Sequence, residues 1–136
     1  MMSQFSLPVR VYLEDTDAQG VVYNASYFRF LERARTEWLR EHGIDHNDMR
    51  KEEGILLILV GTEVKFVKPA RLDDMLYVTV ELSELKGARF VFEQSVRRSA
   101  PDGETLCRGV AEVACMDIEE HKPRRVPVAL MSELTE

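Results

Sequence analysis

The sequence lacks any apolar run long enough to cross a membrane. Its longest uninterrupted apolar run, residues 55–60, has six members, whereas a membrane-spanning helix needs about 20. The first ten residues also lack the charged start and the apolar core of a secretion signal. We therefore expect a cytoplasmic protein without membrane insertion.

Cysteine and histidine are scarce, and their spacing argues against disulfide and metal sites. Cys107 and Cys115 lie eight residues apart on one predicted strand, too far to bridge each other locally. We expect both to be free thiols, as is usual in the cytoplasm. His42, His46 and His121 form no recognisable ligand set, so the sequence predicts no metal site.

An excess of positive charge is also missing. The chain carries 18 lysines and arginines against 24 aspartates and glutamates, a formal net charge of −6. A nucleic-acid-binding domain usually carries a basic face. The charge balance therefore argues against a nucleic-acid partner.

Internal repeats and low-complexity tracts are absent as well. The composition, with 45% apolar residues, is that of a globular domain. A chain of 136 residues has no room for a second domain of ordinary size. The sequence therefore predicts a single domain over residues 1–136.

What the sequence does contain is one strong helical pattern, from Asn24 to His42. Asn24 is a good N-cap, and Gly43 is typical of the position just past a helix C-terminus. Four residues recur at helical spacing on one face: Tyr27, Leu31, Ala34 and Trp38.

Five stretches show the alternation or the apolar content of β-strands. They cover residues 5–13, 55–67, 75–85, 89–98 and 105–118. Gly61 interrupts the second stretch and predicts a bulge or bend. One long helix after the first strand, followed by closely connected strands, predicts an α+β architecture. We expect a five-stranded, mostly antiparallel sheet wrapped around the central helix.

Two carboxylates, Asp15 and Asp17, stand between the first strand and the helix. Successive strand side chains face opposite ways, so only one of the two can point into a pocket. A helix N-terminus offers free N–H groups and a partial positive charge, which can hold a developing oxyanion. An acid beside it suits attack on an acyl carbonyl, as nucleophile or as base for water. The alternative is that both aspartates are turn or capping residues.

Three segments carry a family resemblance: residues 15–39 (DTDAQGVVYNASYFRFLERARTEWL), 65–74 (KFVKPARLDD) and 123–127 (PRRVP). Together they resemble the hot-dog-fold acyl-CoA thioesterases of the 4-hydroxybenzoyl-CoA thioesterase class, most closely the bacterial YbgC-type branch. The resemblance implies a hot-dog fold, with Asp17 as the catalytic carboxylate and the main-chain N–H of Asn24 facing the thioester carbonyl. That branch usually carries histidine at the position of Asn24, so this chain lacks the imidazole.

The resemblance also implies a substrate-binding set. Tyr23 and Asn24 would frame the pocket. Tyr27 would line the acyl pocket, although its place on the apolar stripe equally predicts a core residue. Because coenzyme A carries a phosphorylated nucleotide, basic side chains should gather at the mouth of the site. The candidates are Arg89, Arg124 and Arg125, with Lys122 nearby.

Glu32 is an alternative catalytic acid, because a sister branch of hot-dog thioesterases takes its carboxylate from about two turns along the helix. Glu32 lies eight residues after Asn24. Arg29 and Arg33 neighbour it, which is the usual setting of a surface ion pair. Asp17 therefore ranks first and Glu32 second.

The resemblance, together with the carboxylate beside the helix start, implies an acyl-CoA thioesterase that releases free acid and coenzyme A without a metal or redox cofactor. Its expected partners are the acyl-CoA substrate or an acyl-carrier protein, and further copies of the chain in a homodimer or homotetramer. The alternative is a non-catalytic binding module for these acyl carriers, or a scaffold in an envelope-associated complex. A hot-dog dehydratase would need a catalytic histidine near the helix, for which the sequence offers no candidate. The acyl-chain preference stays open.

Overall fold

One long helix, α1 (Asn24–Glu41), packs against a five-stranded sheet in the computed structural model, which describes residues 4–135. The strands are β1 (Phe5–Arg10), β2 (Ile55–Phe66), β3 (Met75–Lys86), β4 (Arg89–Arg98) and β5 (Thr105–Asp117). Two shorter helices are α2 (His46–Asp48), continued by a π-helical turn at Met49–Glu53, and α3 (Val128–Thr135). The predicted α+β architecture is confirmed.

Every neighbouring pair of strands in the sheet runs antiparallel, in the order β1-β3-β4-β5-β2. Strands β3, β4 and β5 follow one another through short connections, whereas β2 crosses over to pair with β5. The register of β2 against β5 shifts between Leu59 and Gly61. This shift confirms the bulge predicted at Gly61.

The core lies between one face of α1 and the inner face of the sheet. The four residues of the predicted helical stripe are all buried, and Phe30 beside them is fully enclosed. Trp38 meets Phe92 of β4 edge to face, with 5.4 Å between ring centroids. Burying a large apolar side chain contributes about 1.5–3 kcal/mol. Contacts of this kind fix the orientation of α1, and with it the position of its N-terminus.

The first strand is shorter than predicted. β1 ends at Arg10, and Leu13–Asp15 forms a 3-10 turn. The Oδ2 atom of Asp15 accepts the N–H of Tyr12 at 2.9 Å, and the N–H of Asp15 donates to the carbonyl of Tyr12 at 3.0 Å. Such local hydrogen bonds compete with a strand ladder. The prediction of a strand through residue 13 is therefore wrong. The alternation of strand side chains consequently does not decide which of Asp15 and Asp17 faces a pocket.

The two edge strands of the sheet differ from each other. β1 spans six residues and contains Pro8, which has no N–H to offer a further strand. β2 spans 12 residues without a proline. Its middle exposes three consecutive apolar side chains: Ile58, Leu59 and Val60. Long apolar edges are the ones on which another strand can add.

Two features are absent from residues 4–135. No helix there combines the length and the apolar character that crossing a bilayer requires. No group of three or more His, Cys, Asp or Glu side chains in this range is placed to hold a metal ion.

Candidate active site

A cleft of about 540 Å³ opens at one end of the sheet, between the start of α1 and the segment that follows β2. One wall is residues 66–69. Arg98 supports this wall, because its Nη2 atom donates to the carbonyl of Pro69 at 2.8 Å. The opposite side carries three of the predicted site residues: Asp17, Tyr23 and Asn24.

A tight turn fixes the carboxylate of Asp17. Its Oδ1 atom accepts the N–H of Gln19 at 2.8 Å and the N–H of Val21 at 3.4 Å. The chain reverses at Gly20, whose φ of +77° lies in the left-handed region that favours glycine. The Oδ2 atom accepts no hydrogen bond from residues 4–135. One carboxylate oxygen is therefore anchored, and the other is free to act on a substrate.

The N-cap of α1 is Tyr23, and its side chain makes no capping hydrogen bond. The N–H of Tyr23 donates to the carbonyl of Asp15 at 2.9 Å, which holds Tyr23 in an extended conformation. The helix consequently begins at Asn24. The prediction that Asn24 caps the helix is therefore wrong, because a contact from the preceding turn sets the first helical residue.

Two main-chain N–H groups stand free at the start of α1. Those of Asn24 and Ala25 have no hydrogen-bond acceptor within the described part of the chain, as is usual for the first turn of a helix. The aligned peptide dipoles add a partial positive charge at this end. Together they can stabilise a negatively charged oxygen bound beside the carboxylate of Asp17.

Tyr27 forms the floor of the cleft and belongs to the core at the same time. It is buried, and its hydroxyl oxygen accepts the N–H of Ala70 at 3.1 Å. Its ring lies 5.3 Å from that of Phe66, measured between centroids. Burial raises the pKa of Tyr27, against the opposing effect of the Ala70 hydrogen bond. The phenol therefore stays protonated and serves as an uncharged wall.

Comparison with known proteins identifies the family of the chain. The family model for the thioesterase-like superfamily matches residues 11–134, which is most of the chain. The chain belongs to the thioesterase-like superfamily. The predicted family resemblance is thereby confirmed.

Individual proteins of known name are similar to this chain over nearly its whole length. The acyl-CoA thioesterase YbgC of Haemophilus influenzae is 42% identical over 123 residues, covering 90% of this chain and 88% of that protein. The structure of a probable thioesterase from Bartonella henselae is 36% identical with a TM-score of 0.84, covering 92% and 100% of the two chains. A mutant 4-hydroxybenzoyl-CoA thioesterase in complex with 4-hydroxybenzoyl-CoA is 22% identical, with a TM-score of 0.87 over 97% and 99%. This last likeness shows the shared fold, so the predicted hot-dog fold is confirmed.

In this thioesterase-like chain, the three arginines predicted to hold phosphates lie at the end of the sheet opposite the cleft. Arg89 pairs with Ala114 of β5, whereas Phe66, where the cleft wall begins, pairs with Cys107. Cys107 and Ala114 are seven positions apart on β5, about 23 Å at the rise of a strand. Arg124 and Arg125 lie at the same end of the sheet as Arg89. The N–H of Arg124 donates to the carbonyl of Cys115, which is next to Ala114, the partner of Arg89.

Partners within the chain hold two of these arginines away from the cleft. Arg89 bridges Glu84 at 2.7 Å and Glu112 at 2.8 Å. The Nη1 atom of Arg124 donates to the carbonyl of Glu53 at 2.6 Å. Within one chain, therefore, the structure does not bring these arginines to Asp17.

Glu32, the alternative acid, does not line this cleft. It borders a separate hollow of about 60 Å³, together with Arg35 and Leu57. Arg35 is half-buried and donates to the Oε1 atom of Gln94 at 2.9 Å. Burial lowers the pKa of Arg35, against the opposing charge of Glu32. The geometry therefore keeps Asp17 ahead of Glu32.

Lys68 is a basic residue of the cleft that the sequence analysis did not select. It lies on the wall formed by residues 66–69, and its Nζ atom bridges Glu104 at 3.0 Å. The available signal was its place in the segment KFVKPARLDD, which carries part of the family resemblance. Periodicity could not find it, because Lys68 follows the end of β2 rather than lying within the strand.

Proposed function

We propose that the chain is an acyl-CoA thioesterase that hydrolyses an acyl-CoA thioester to the free acid and coenzyme A. The observation that carries this proposal is that Asp17, with a free carboxylate oxygen, and Asn24, with a free main-chain N–H at the start of α1, line one cleft. The relatives named above are thioesterases. A non-catalytic binding module or an envelope scaffold is not favoured, because neither needs this pairing of a carboxylate with an electrophilic helix terminus.

Two routes are open to the Asp17 carboxylate. As a nucleophile, its Oδ2 atom bonds to the carbonyl carbon, the C–S bond breaks, and water then hydrolyses the resulting anhydride. As a general base, it takes a proton from water whose oxygen attacks the same carbon, and that proton passes to the leaving sulfur. In both routes the N–H groups at the start of α1 stabilise the negatively charged oxygen.

The aromatic part of the cleft suits the acyl group. Tyr27 is buried against Phe66, and Tyr23 is 53% exposed at the rim. Uncharged aromatic surfaces of this kind pack against apolar groups, and the tyrosine hydroxyls lie at the edges of these surfaces. We propose Tyr23 and Tyr27 as substrate-binding residues on this basis, and Asn24 through its main-chain N–H.

We further propose a homodimer formed by antiparallel pairing of two β2 strands. The 12 residues of β2 contain no proline, and the side chains of residues 58–60 are exposed and apolar. The other edge, β1, contains Pro8 and is half as long. Pairing two β2 strands gives partners to their free backbone groups and covers their apolar side chains.

This dimer supports a substrate-binding role for the basic tail. A two-fold axis through the middle of β2 places the partner's Ile55 opposite Phe66 of this chain. Arg124 is bonded to Glu53, two residues before Ile55. The partner's Arg124 then stands at the mouth of the cleft near Lys68, where the phosphates of coenzyme A need basic groups.

The remaining predictions stay proposals. They are Arg89 and Arg125 as phosphate ligands, the pairing of dimers into a homotetramer, an acyl-carrier protein as an alternative acyl donor, a single domain over residues 1–136, and a cytoplasmic location. The location is supported by Cys107 and Cys115, which are buried free thiols.

Turnover of a panel of short, long and aromatic acyl-CoAs tests the function. Coenzyme A release, followed with a thiol reagent, should occur with at least one of them and be lost in Asp17→Asn. Mass spectrometry of rapidly quenched reactions separates the two routes, because an acyl adduct on Asp17 marks the nucleophilic one. A folded wild-type protein that turns over no member of the panel would overturn the proposal.

A further inference from the structure

Asp15 carries the one buried carboxylate among the described residues, and the proposed chemistry does not use it. The residue is 5% exposed. Its Oδ2 atom accepts the N–H of Tyr12 at 2.9 Å, and its Oδ1 atom lies 3.5 Å from Nη2 of Arg29. Removing a carboxylate from water is unfavourable unless partners compensate. A carboxylate that is buried despite this unfavourable free energy is expected to have a structural or functional role.

The contacts of Asp15 join the two halves of the site. Its main-chain carbonyl accepts the N–H of Tyr23 at 2.9 Å and the hydroxyl of Ser26 at 3.2 Å. Arg29 closes the ring, because its Nη2 atom donates to the Oγ atom of Ser26 at 3.0 Å and also faces Asp15. Asp15 therefore ties the turn that leads to Asp17 to the first turns of α1.

We propose that Asp15 is a positioning residue for the thioesterase reaction. Its carboxylate, held between the amide of Tyr12 and the guanidinium of Arg29, sets the distance between the Asp17 carboxylate and the N–H groups that begin α1. The inference rests on the proposed function. Reaction rates are sensitive to such distances, since a misplacement of about 1 Å can cost about a hundredfold.

The negative charge matters because both neighbours of the carboxylate are hydrogen-bond donors. Oδ2 faces the N–H of Tyr12, and Oδ1 faces the guanidinium of Arg29. A carboxylate accepts from both, whereas an amide has one oxygen and one NH₂ group. In Asp15→Asn, the NH₂ group must therefore face a donor. Arg29 is half exposed and can swing into solvent, so its side-chain link to Asp15 is the one that loosens. The main-chain carbonyl of residue 15 keeps its bonds to Tyr23 and Ser26.

Steady-state kinetics of Asp15→Asn test the inference. We expect kcat to fall about tenfold to a hundredfold while KM changes less than about twofold, because the reacting groups are misaligned but the cleft is intact. The matched control is Asp45→Asn, the same change at a carboxylate that caps α2 by accepting the N–H of Asp48 at 2.8 Å. Asparagine is an equally good N-cap, so this control should keep wild-type kinetics.

Direct binding separates positioning from a merely structural role. Asp17→Asn is expected not to turn the substrate over, so its affinity for acyl-CoA can be measured by calorimetry. Adding Asp15→Asn to that variant should leave the Kd within about twofold, since only the reacting geometry is disturbed. A Kd that rises in parallel with a lower melting temperature would show that Asp15 only supports the fold.

Two further variants cover the case in which Asp15→Asn fails to fold. Arg29→Gln and Ser26→Ala each open the hydrogen-bonded ring while the carboxylate stays in place. Loss of kcat at an unchanged melting temperature supports the inference, and unchanged kcat in both overturns it. An inactive wild type would overturn both the proposed function and the positioning role. An active wild type whose kcat is equalled by a folded Asp15→Asn variant would overturn the positioning role alone.

Discussion

The two ends of the sheet differ in how their polar groups are satisfied. At the arginine end, defined by Arg89 and Arg124, the charged groups meet partners in the same chain, such as Glu84 and Glu112 for Arg89. At the cleft end, defined by Asp17 and the start of α1, one carboxylate oxygen and two N–H groups have no partner within residues 4–135. Polar groups are thus paired within the chain at the arginine end and partly left available at the cleft end.

The difference indicates where the chemistry takes place. Asp17, Asn24 and Ala25 are exposed residues, so water can occupy their free groups until a substrate replaces it. The free groups at the cleft end are of the two kinds that thioester cleavage needs, an acid and an electrophilic N–H pair. The arginine end acquires a role through the proposed dimer, as a binding surface for the substrate of the neighbouring copy.

The largest expected effect is the loss of turnover in Asp17→Asn. The amide keeps the shape and the hydrogen bonds of Oδ1, but it cannot act as nucleophile or base, so kcat should fall by about three orders of magnitude or more. Glu32→Gln and the remote Asp45→Asn should keep most of the activity. Circular dichroism would show that all three variants are folded. If Asp17→Asn kept nearly normal turnover and Glu32→Gln were inactive, the reaction would not take place at the cleft end.

The next effect should follow from a charge in the middle of β2. Val60 is 61% exposed, so Val60→Lys disturbs one chain little but places an ammonium group in the proposed interface. Analytical ultracentrifugation at micromolar concentration should show dimers for the wild type and monomers for the variant. Ser6→Lys on β1 is the control and should stay dimeric. Monomeric wild-type protein would contradict the proposed dimer.

A smaller effect is expected at the arginine end itself. In the proposed dimer, Arg124→Gln would remove one charge-assisted hydrogen bond to a phosphate, so KM for acyl-CoA should rise about tenfold with little change in kcat. The corresponding acyl-pantetheine lacks the nucleotide, and its KM should not change. Lys122→Gln, on a neighbouring exposed residue, serves as the comparison. If KM rose equally for both substrates, the arginine end would not bind the phosphates.

The change Asn24→His should have little effect, because the proposed mechanism uses the main-chain N–H of this residue rather than its side chain. Activity should stay within about threefold, and the wild type should show no titration near the ordinary histidine pKa of about 6.5. Rate measurements between pH 5 and 9 check both points. If the wild type were nearly inactive and Asn24→His switched turnover on with a new pH dependence, the chain would be better described as a binder that has lost an imidazole.

The smallest expected signal is thiol reactivity in the folded protein. Burial raises the pKa of Cys107, at the cleft end, to about 12. Burial also raises the pKa of Cys115, at the arginine end, although the charge of Arg124 opposes it there. Both thiols are therefore protonated at pH 8, and reactive thiolate appears only as the pH rises towards the raised pKa values. A thiol reagent should modify neither cysteine before denaturation, and any reaction at higher pH should begin at Cys115.

Much of the fold follows from local patterns in the sequence. The spacing of apolar residues predicted α1 and five strands, because a buried helix face and a buried strand face repeat with different periods. Gly43, with φ of +78°, ends α1 as predicted. The bulge at Gly61 was predicted for a similar reason, since glycine within a strand often marks a break in the ladder.

The errors lie where hydrogen bonds of one aspartate replace regular structure. Leu13–Asp15 turns instead of extending the first strand, because the side chain of Asp15 returns to the amide of Tyr12. The helix starts at Asn24 as predicted, but its N-cap is Tyr23 rather than Asn24, and the N–H of Tyr23 donates to the carbonyl of Asp15. Residue-by-residue propensities do not include such contacts, since they join positions up to eight residues apart.

By itself the sequence determined the elements, their order and the acid at Asp17 beside a helix start, because these depend on side-chain periodicity and on neighbours along the chain. Only the tertiary structure decided that residues 66–69 face the start of α1 to form a cleft, and that Arg89 and Arg124 lie about 23 Å away along β5. Both outcomes depend on the order and register of the strands. These are set by pairings between residues distant in the chain, which no local pattern records.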